Sequence, residues 1–309
     1  MGKASGDFMK DCVDHLVTLY QEHLDLGDTV FSRIDHEDAM VAIVYKITRP
    51  NGEQLILKIS ERSNDFLREV YLLKLFAGIL PVPKIIRSVE PTEDIHGAIL
   101  MEHLSGNLLK AEELTEVLAY EIGRCLALIH LNQLPGYGDP IQRDLSSDPN
   151  GYFTLKFEEG IDECKHHLPK KLIEQCQTYY KESVNFLASV DGPCIVHRDF
   201  RPGNIIVHEG RLQGIIDWAG ARSSFAEEDF CSIEHGEWSN NSYIKKPFLA
   251  GYAEIRPVPN YTGIIPFLRL NKAIATIGFT VKRKTWNNRD SRIYQHNLQF
   301  LENLFEGNL

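Results

Sequence analysis

The segment His197-Arg198-Asp199-Phe200-Arg201-Pro202-Gly203-Asn204 runs on into Ile205-Ile206-Val207, and Ile216-Asp217-Trp218 follows a short distance later. The reading of the whole chain turns on it. Asn204 and Asp217 offer oxygen ligands from two neighbouring strand ends, and hard cations such as Mg²⁺ take oxygen ligands. Asp199 lies on the same loop as Asn204, placed to receive the proton of an attacking hydroxyl. Together these are the groups that phosphoryl transfer requires. Loop Asp and Asn residues also cap turns routinely, and Asp217 alone would merely end a strand. The joint spacing of all three makes coincidence the weaker account.

Working outward, strand-like runs at 194–197, 204–208 and 212–217 interrupt a half that is otherwise helical in texture. Leu114, Leu118, Ile122, Cys125 and Ile129 keep close to helical spacing over 111–132. Residues 169–190 open on Pro169 at a first-turn position, and 263–281 and 290–306 read as further helices. The amino-terminal third differs. An amphipathic helix is predicted over 7–26, and the pattern then changes to period two. Val41, Ile43, Tyr45 and Ile47 alternate with their neighbours, Pro50-Asn51-Gly52 supplies a turn, and Leu55, Leu57 and Ile59 share one face. Lys58 falls on the opposite face. Asn64 is expected to cap a helix that stops at Gly78, and strands are expected at 84–89 and 97–102. The boundary is placed at Leu104-Ser105-Gly106, giving an N-lobe over 1–104 and a helical C-lobe over 105–309.

With 309 residues, 43% hydrophobic and 25% charged, the chain has the composition of an ordinary soluble protein. Its net charge of −10 argues against a partner bound through a nucleic-acid backbone. No apolar run is long enough to cross a bilayer. Cys12, Cys125, Cys164, Cys176, Cys194 and Cys231 are scattered, with no C-x-x-C pair, as expected of reduced thiols in a cytoplasmic protein.

Residues 194–230 resemble the catalytic core of the aminoglycoside phosphotransferase and choline kinase-like family, small-molecule relatives of the protein kinases. The resemblance implies an α+β, bilobal, protein-kinase-like fold with a small antiparallel-sheet N-lobe and a larger helical C-lobe. It further implies ATP or GTP as co-substrate, Mg²⁺ as cofactor and a small-molecule hydroxyl as acceptor. On this reading Asp199 is the catalytic base, Asn204 and Asp217 are metal ligands, and Lys58 holds phosphates with Glu69 as its partner (Glu61 the fallback). Ala98 to Gly106 resembles the strand and hinge that hold the adenine, through backbone groups of Glu102 and Leu104 beside an apolar wall that includes Met101.

Two departures accompany the match. Arg198 stands where the small-molecule kinases more often carry Gly. The phosphate-covering loop, assigned by position to Ser32–Met40, contains no glycine and has three acidic residues that must point away from a triphosphate. A protein kinase would follow Asp217 with Phe-Gly and later A-P-E. Here Trp218-Ala219-Gly220 follows, A-P-E is absent, and Asp229 resembles the structural aspartate of the small-molecule enzymes. A protein kinase and a catalytically silent nucleotide-binding module are the alternatives. The second is disfavoured because Lys58, Asp199, Asn204 and Asp217 are all present.

For the acceptor, Glu158, Glu159, Asp162 and Glu163 form one candidate cluster, with Glu234 and Glu237 further on. The net charge is −8 over residues 105–230, and such carboxylates would suit ammonium groups of an aminoglycoside, choline or a similar amine. A solvated charge run is the competing account. His166-His167 lacks metal-ligand spacing and reads as a surface pair; Phe200 and Trp218 read as core.

Overall fold

The period-two alternation of residues 42–60 becomes a hairpin of β2 (Ala42–Thr48) and β3 (Gln54–Ser60), paired from Ala42–Ser60 to Thr48–Gln54. Gly52, at φ +85°, turns the chain between them. The molecule is seen in a computed structural model that describes residues 15–34, 42–235, 242–288 and 290–306. It divides into two compact units, one reaching Leu109 and including Asn204–Ala219, the other made of Lys110–Gly203 and the chain from Gly220. The expected phosphate-covering loop beyond Ile34, along with Cys12 and Glu237, lies outside the described residues.

In the first unit β1 (Val30–Arg33), β4 (Ile85–Val89) and β5 (Gly97–Glu102) complete an antiparallel sheet in the order β1-β2-β3-β5-β4. Its two faces explain its composition. Leu55, Leu57, Ile59, Ala98 and Leu100 pack with Tyr20 and Leu24, contributed by helix α1 (residues 15–23) and the turn after it. Ile99 and Met101 face the other way onto Phe66 and Val70 of α2 (Ser63–Phe76). A strand covered on both sides must be apolar where it is covered, as β5 is from Gly97 to Met101. Each such buried aliphatic side chain contributes about 1.5–3 kcal/mol.

Helix α2 begins differently from expectation. Arg62 holds the N-cap position without a side-chain bond, and Asn64 falls inside the first turn, where Asp65 complements the helix dipole. The stop is as expected, with Gly78 at φ +78° two residues beyond Phe76.

The first unit also takes in a hairpin from far along the sequence. β6 (Asn107–Leu108) pairs with β8 (Ile205–His208), which pairs with β9 (Arg211–Ile215). The amides of Leu109 and Ile215 donate to the carbonyls of Ile205 and Pro81, each at 2.8 Å. Leu104 presses so closely on Gly214 that a Cβ there would sit 2.1 Å from its Cδ1. These bonds carry the unit past the expected 104/105 boundary and bring Asn204 and Asp217 into it.

The second unit is built on α3 (Glu116–His130), α4 (Pro149–Cys164), α5 (Lys170–Ser183), α6 (Glu227–His235), α7 (Ser242–Ile255), α8 (Ile265–Lys282) and α9 (Ser291–Glu306). α3 meets α7 at Gly123, where a Cβ would lie 2.0 Å from the Phe248 carbonyl oxygen. Phe157 of α4 stacks on Tyr180 of α5 at 4.0 Å, and Phe267 of α8 closes on Tyr180 at 5.1 Å. β7 (Cys194–Val196) and β10 (Arg222–Ser224) pair antiparallel and frame the loop that starts at His197. Only part of the expected histidine surface pair is found. His166 is exposed, whereas the His167 ring packs 4.5 Å from Trp286 and 5.4 Å from Tyr294.

Candidate active site

In the first unit, three of the expected side chains converge. Lys58 is buried on the α2 face of β3, and its Nζ lies 2.9 and 2.6 Å from the two carboxylate oxygens of Glu69 and 2.7 Å from Asp217 Oδ1. Glu61 is exposed before α2 and is not the partner. Burial opposes the Lys58 charge, but the Asp217 and Glu69 carboxylates outweigh it and hold the ammonium well above its ordinary range. Glu69 is buried, whereas the Asp217 side chain is 48% exposed. One end of the ionic chain is therefore buried and the other half-exposed.

Asn204 is buried, and its carbonyl accepts from the Ile216 amide at 3.0 Å. That bond sets Asn204 and Asp217 side by side at the base of the β8–β9 hairpin. An amide oxygen and a half-exposed carboxylate are a fitting donor pair for a hard cation. Among the described residues no group of three His, Cys, Asp or Glu side chains converges on a metal position, so this pair is the fit on offer. Asp217 adopts φ +65°, a left-handed conformation that Asp tolerates better than bulkier residues.

At the expected hinge, the Glu102 amide is already committed to the Lys84 carbonyl at 2.9 Å. The Glu102 amide is therefore not open to a further acceptor. Leu104 packs on β9 through its side chain, and Met101 is buried against α2.

Sequence reasoning missed Arg68. It is buried, pairs with Asp65 at 3.2 Å, and donates from the same nitrogen to the Ala219 carbonyl. Together with Trp218, whose ring lies 4.8 Å from Phe76, it fastens α2 to the segment that carries Asp217. A helical arginine reads as solvent-facing, so no sequence signal marked it.

In the second unit, Asp199 is partly exposed and receives Arg201 Nε at 3.1 and 3.2 Å on its two oxygens. The loop is held from behind. The amides of His197 and Arg198 donate to Asp229 at 2.8 and 2.6 Å, and Asp229 is fully buried. Burial raises the Asp229 carboxyl, but the bonds from His130 and the nearby imidazoles outweigh it and leave it below its ordinary range. His130 lies 3.1 Å from Asp229 through Nε2 and 2.8 Å from the Tyr252 hydroxyl through Nδ1. Its position beside Ile129, at the end of the buried stripe of α3, was the only sequence signal for it. His130→Ala orphans two buried polar groups and is expected to cost about 2–5 kcal/mol of unfolding free energy. Urea denaturation checks this, and a loss below about 1 kcal/mol would contradict it.

A second buried carboxylate braces the same helix. Glu227 accepts from the Asp191 amide at 3.1 and 3.2 Å, and Asp191 is clasped by Arg256 at 2.6 Å. Burial pushes the Glu227 carboxyl up to about 7, against about 4.3 in an unfolded chain. The folded state thus holds this proton more tightly. The contribution is full below about 4.3 and is lost as pH rises through about 7. Glu227→Gln should therefore gain about 3 kcal/mol on wild type between pH 4 and pH 8. A stability difference that stays constant over that range would refute it.

Three of the four carboxylates expected on α4 for the acceptor pair with the protein's own lysines. On α4, Glu159 pairs with Lys156 at 2.7 Å and Asp162 with Lys165 at 2.8 Å, while Glu163 meets Lys282 at 2.7 Å. Glu158 is exposed on the same helix. Glu234 takes Lys245 at 2.5 Å and the Tyr261 hydroxyl at 2.8 Å.

A sheet unit with a lysine–glutamate–aspartate chain, and a helical unit with a braced His-Arg-Asp loop, define the protein-kinase-like class of phosphotransferase. Residues 42–246 match the phosphotransferase enzyme family, and the chain belongs to that family. No curated protein matches it. Solved structures share the fold at low identity. The gentamicin complex of APH(2″)-IIa aligns with a TM-score of 0.68 at 16% identity, covering 93% of this chain and 95% of the other. The GDP complex of a mutant aminoglycoside 2′-phosphotransferase-IIIa gives 0.67 at 16%, with 95% and 97% covered. A thermostable APH(4)-Ia mutant with AMP-PNP and hygromycin B gives 0.67 at 14%, with 92% and 97% covered.

Proposed function

We propose that this phosphotransferase moves the γ-phosphoryl group of ATP or GTP to a hydroxyl of a small molecule. The observation that carries the reading is the ionic chain Glu69–Lys58–Asp217, with Asn204 beside its half-exposed end. Lys58 is held as an ammonium by the buried Glu69, so that its charge is in place for phosphate oxygens. Asn204 and Asp217 would hold Mg²⁺, which when bound offsets phosphate charge. Asp199 takes the hydroxyl proton, and Arg201 keeps its carboxylate oriented. The carbonyl of Glu102 and the amide of Leu104 would serve the base.

Neighbours of the same fold were solved with gentamicin and hygromycin B. An amine acceptor at α4 would compete with Lys156, Lys165 and Lys282 for the carboxylates of Glu159, Asp162 and Glu163, exposed pairs worth only about 0–1 kcal/mol each. The described cysteines are free and buried, with thiols of Cys125, Cys164, Cys176 and Cys194 pushed up to about 12 by burial. That supports a reducing, cytoplasmic setting. No helix among the described residues is long and apolar enough to cross a membrane.

A thermal-shift series with MgATP and MgGTP tests the reading. Asp217→Ala should abolish the Mg²⁺-dependent part of the shift, and Asn204→Ala should weaken it less, because a neutral amide contributes less charge. An Asp217→Ala protein shifted by MgATP as much as wild type would overturn the assignment.

A further inference from the structure

Helix α2 turns one face to the segment Asp217-Trp218-Ala219. Asp65, Arg68, Glu69 and Phe76 follow the spacing that keeps side chains on one side of a helix. Glu69 accepts from the Trp218 amide, and Arg68 Nη1 donates to the Ala219 carbonyl. The Phe76 ring lies 4.8 Å from that of Trp218, whose indole nitrogen donates to the Ile215 carbonyl at 3.0 Å. Asp65 takes Arg68 Nη1 at 3.2 Å on one oxygen, and Arg62 Nε stands 3.9 Å from the other.

An arginine is a costly choice for this place. Its side chain is 2% exposed, and a charge taken out of water must be paired and hydrogen-bonded. Packing alone would be served as well by an apolar side chain. What the guanidinium adds is direction, because its planar fork fixes the geometry of the groups it joins. Here it joins an aspartate of its own helix to a main-chain carbonyl two residues beyond Asp217. Asp217 holds φ +65°, a conformation that costs free energy in any residue with a Cβ. Such a conformation persists where the surroundings over-determine it. The grip of α2 on Trp218 and Ala219 supplies that determination. The Asp217 side chain is meanwhile 48% exposed, with Oδ1 2.7 Å from Lys58 Nζ.

We propose that Arg68 is a positioning residue for Asp217: by holding the Ala219 carbonyl it keeps the Asp217 carboxylate turned to Lys58 and in place for Mg²⁺. Arg68 acts through the main chain and not on the substrate. The inference rests on the reading of Asp217 as a metal ligand and assigns the group that aims it.

Two measurements on Arg68→Met, which keeps an unbranched side chain but no donor, decide it. In the ligand-free protein, amide exchange across residues 216–220 should speed up about tenfold, while β3 and β5 exchange as in wild type. The free Mg²⁺ concentration that gives half of the full thermal shift with ATP should rise about 10–100-fold, the usual loss when a group behind a metal ligand is removed. Asp65→Asn leaves Arg68 in place but removes the charge that orients it. It should move both readings the same way by less, and it decides the matter if Arg68→Met does not fold. An unmoved Mg²⁺ half-point overturns the proposal, as does wild-type exchange at 216–220 or faster exchange spread through the whole sheet, the mark of a merely structural role. The two readings fail separately. A full Mg²⁺-dependent shift in Asp217→Ala removes the metal-ligand assignment. Loss of that shift in Asp217→Ala, beside an unmoved half-point in Arg68→Met, removes only the role of Arg68.

Discussion

Turnover of the Asp199→Ala enzyme is expected to fall about 10²–10⁴-fold, the usual contribution of a general base, with MgATP affinity close to wild type. The two effects separate because the residues assigned to the nucleotide, Lys58, Glu102, Leu104 and Asp217, belong to the other compact unit. Stability should change little. The Asp199 and Arg201 side chains are 39% and 35% exposed, so water can replace the lost contact at a cost of about 0–1 kcal/mol. The loop does not depend on Asp199 for its shape, since the His197 and Arg198 amides are held by Asp229. Asp199→Asn is the sharper control: it keeps the volume and an acceptor for Arg201 but cannot take a proton. Wild-type turnover in either variant, with any acceptor the enzyme phosphorylates, would remove Asp199 from the role of base.

How far the sequence reached follows from the range of the interactions involved. The β2–β3 hairpin was legible because period-two alternation and Pro50-Asn51-Gly52 are local signals. Lys58 and Glu69 were legible as a pair from their order on a strand and the helix after it. The transfer of residues 204–219 to the first unit was not legible, because it depends on backbone bonds between Leu109 and Ile205 and between Ile215 and Pro81. Arg68 and His130 escaped for a related reason. Each is polar in a helix, and only a partner distant in sequence, Ala219 or Asp229, accounts for its burial. The acidic run at 158–163 shows the opposite situation. Its charges were plain, but Lys156 and Lys165 one helical turn away, and Lys282 from α8, were not weighed against them. Helix α4 itself was not read, although Asp148 caps it and Pro149 opens it.

Lys58→Met is expected to lower the unfolding free energy by about 3–5 kcal/mol, because it leaves a buried carboxylate without its cation. The cost belongs to Glu69 more than to Asp217. Glu69 is 3% exposed at its side chain and has no route to water, whereas Asp217 at 48% can be hydrated. Adding Glu69→Gln should recover most of the loss, since a neutral amide can still accept from the Trp218 backbone, the bond that Glu69 makes, without needing a counter-charge. Stability and function should then part. The double variant should unfold within about 1–2 kcal/mol of wild type, as neutral replacements of buried ion pairs often do. Its thermal shift with MgATP should stay as small as that of Lys58→Met, because no ammonium is left for the phosphates. Recovery of both stability and the nucleotide shift would show that Lys58 serves only to neutralise Glu69. Recovery of neither would place the main cost outside the pair. Recovery of stability alone identifies Lys58 as the phosphate-holding group that the Glu69 carboxylate keeps charged and in place.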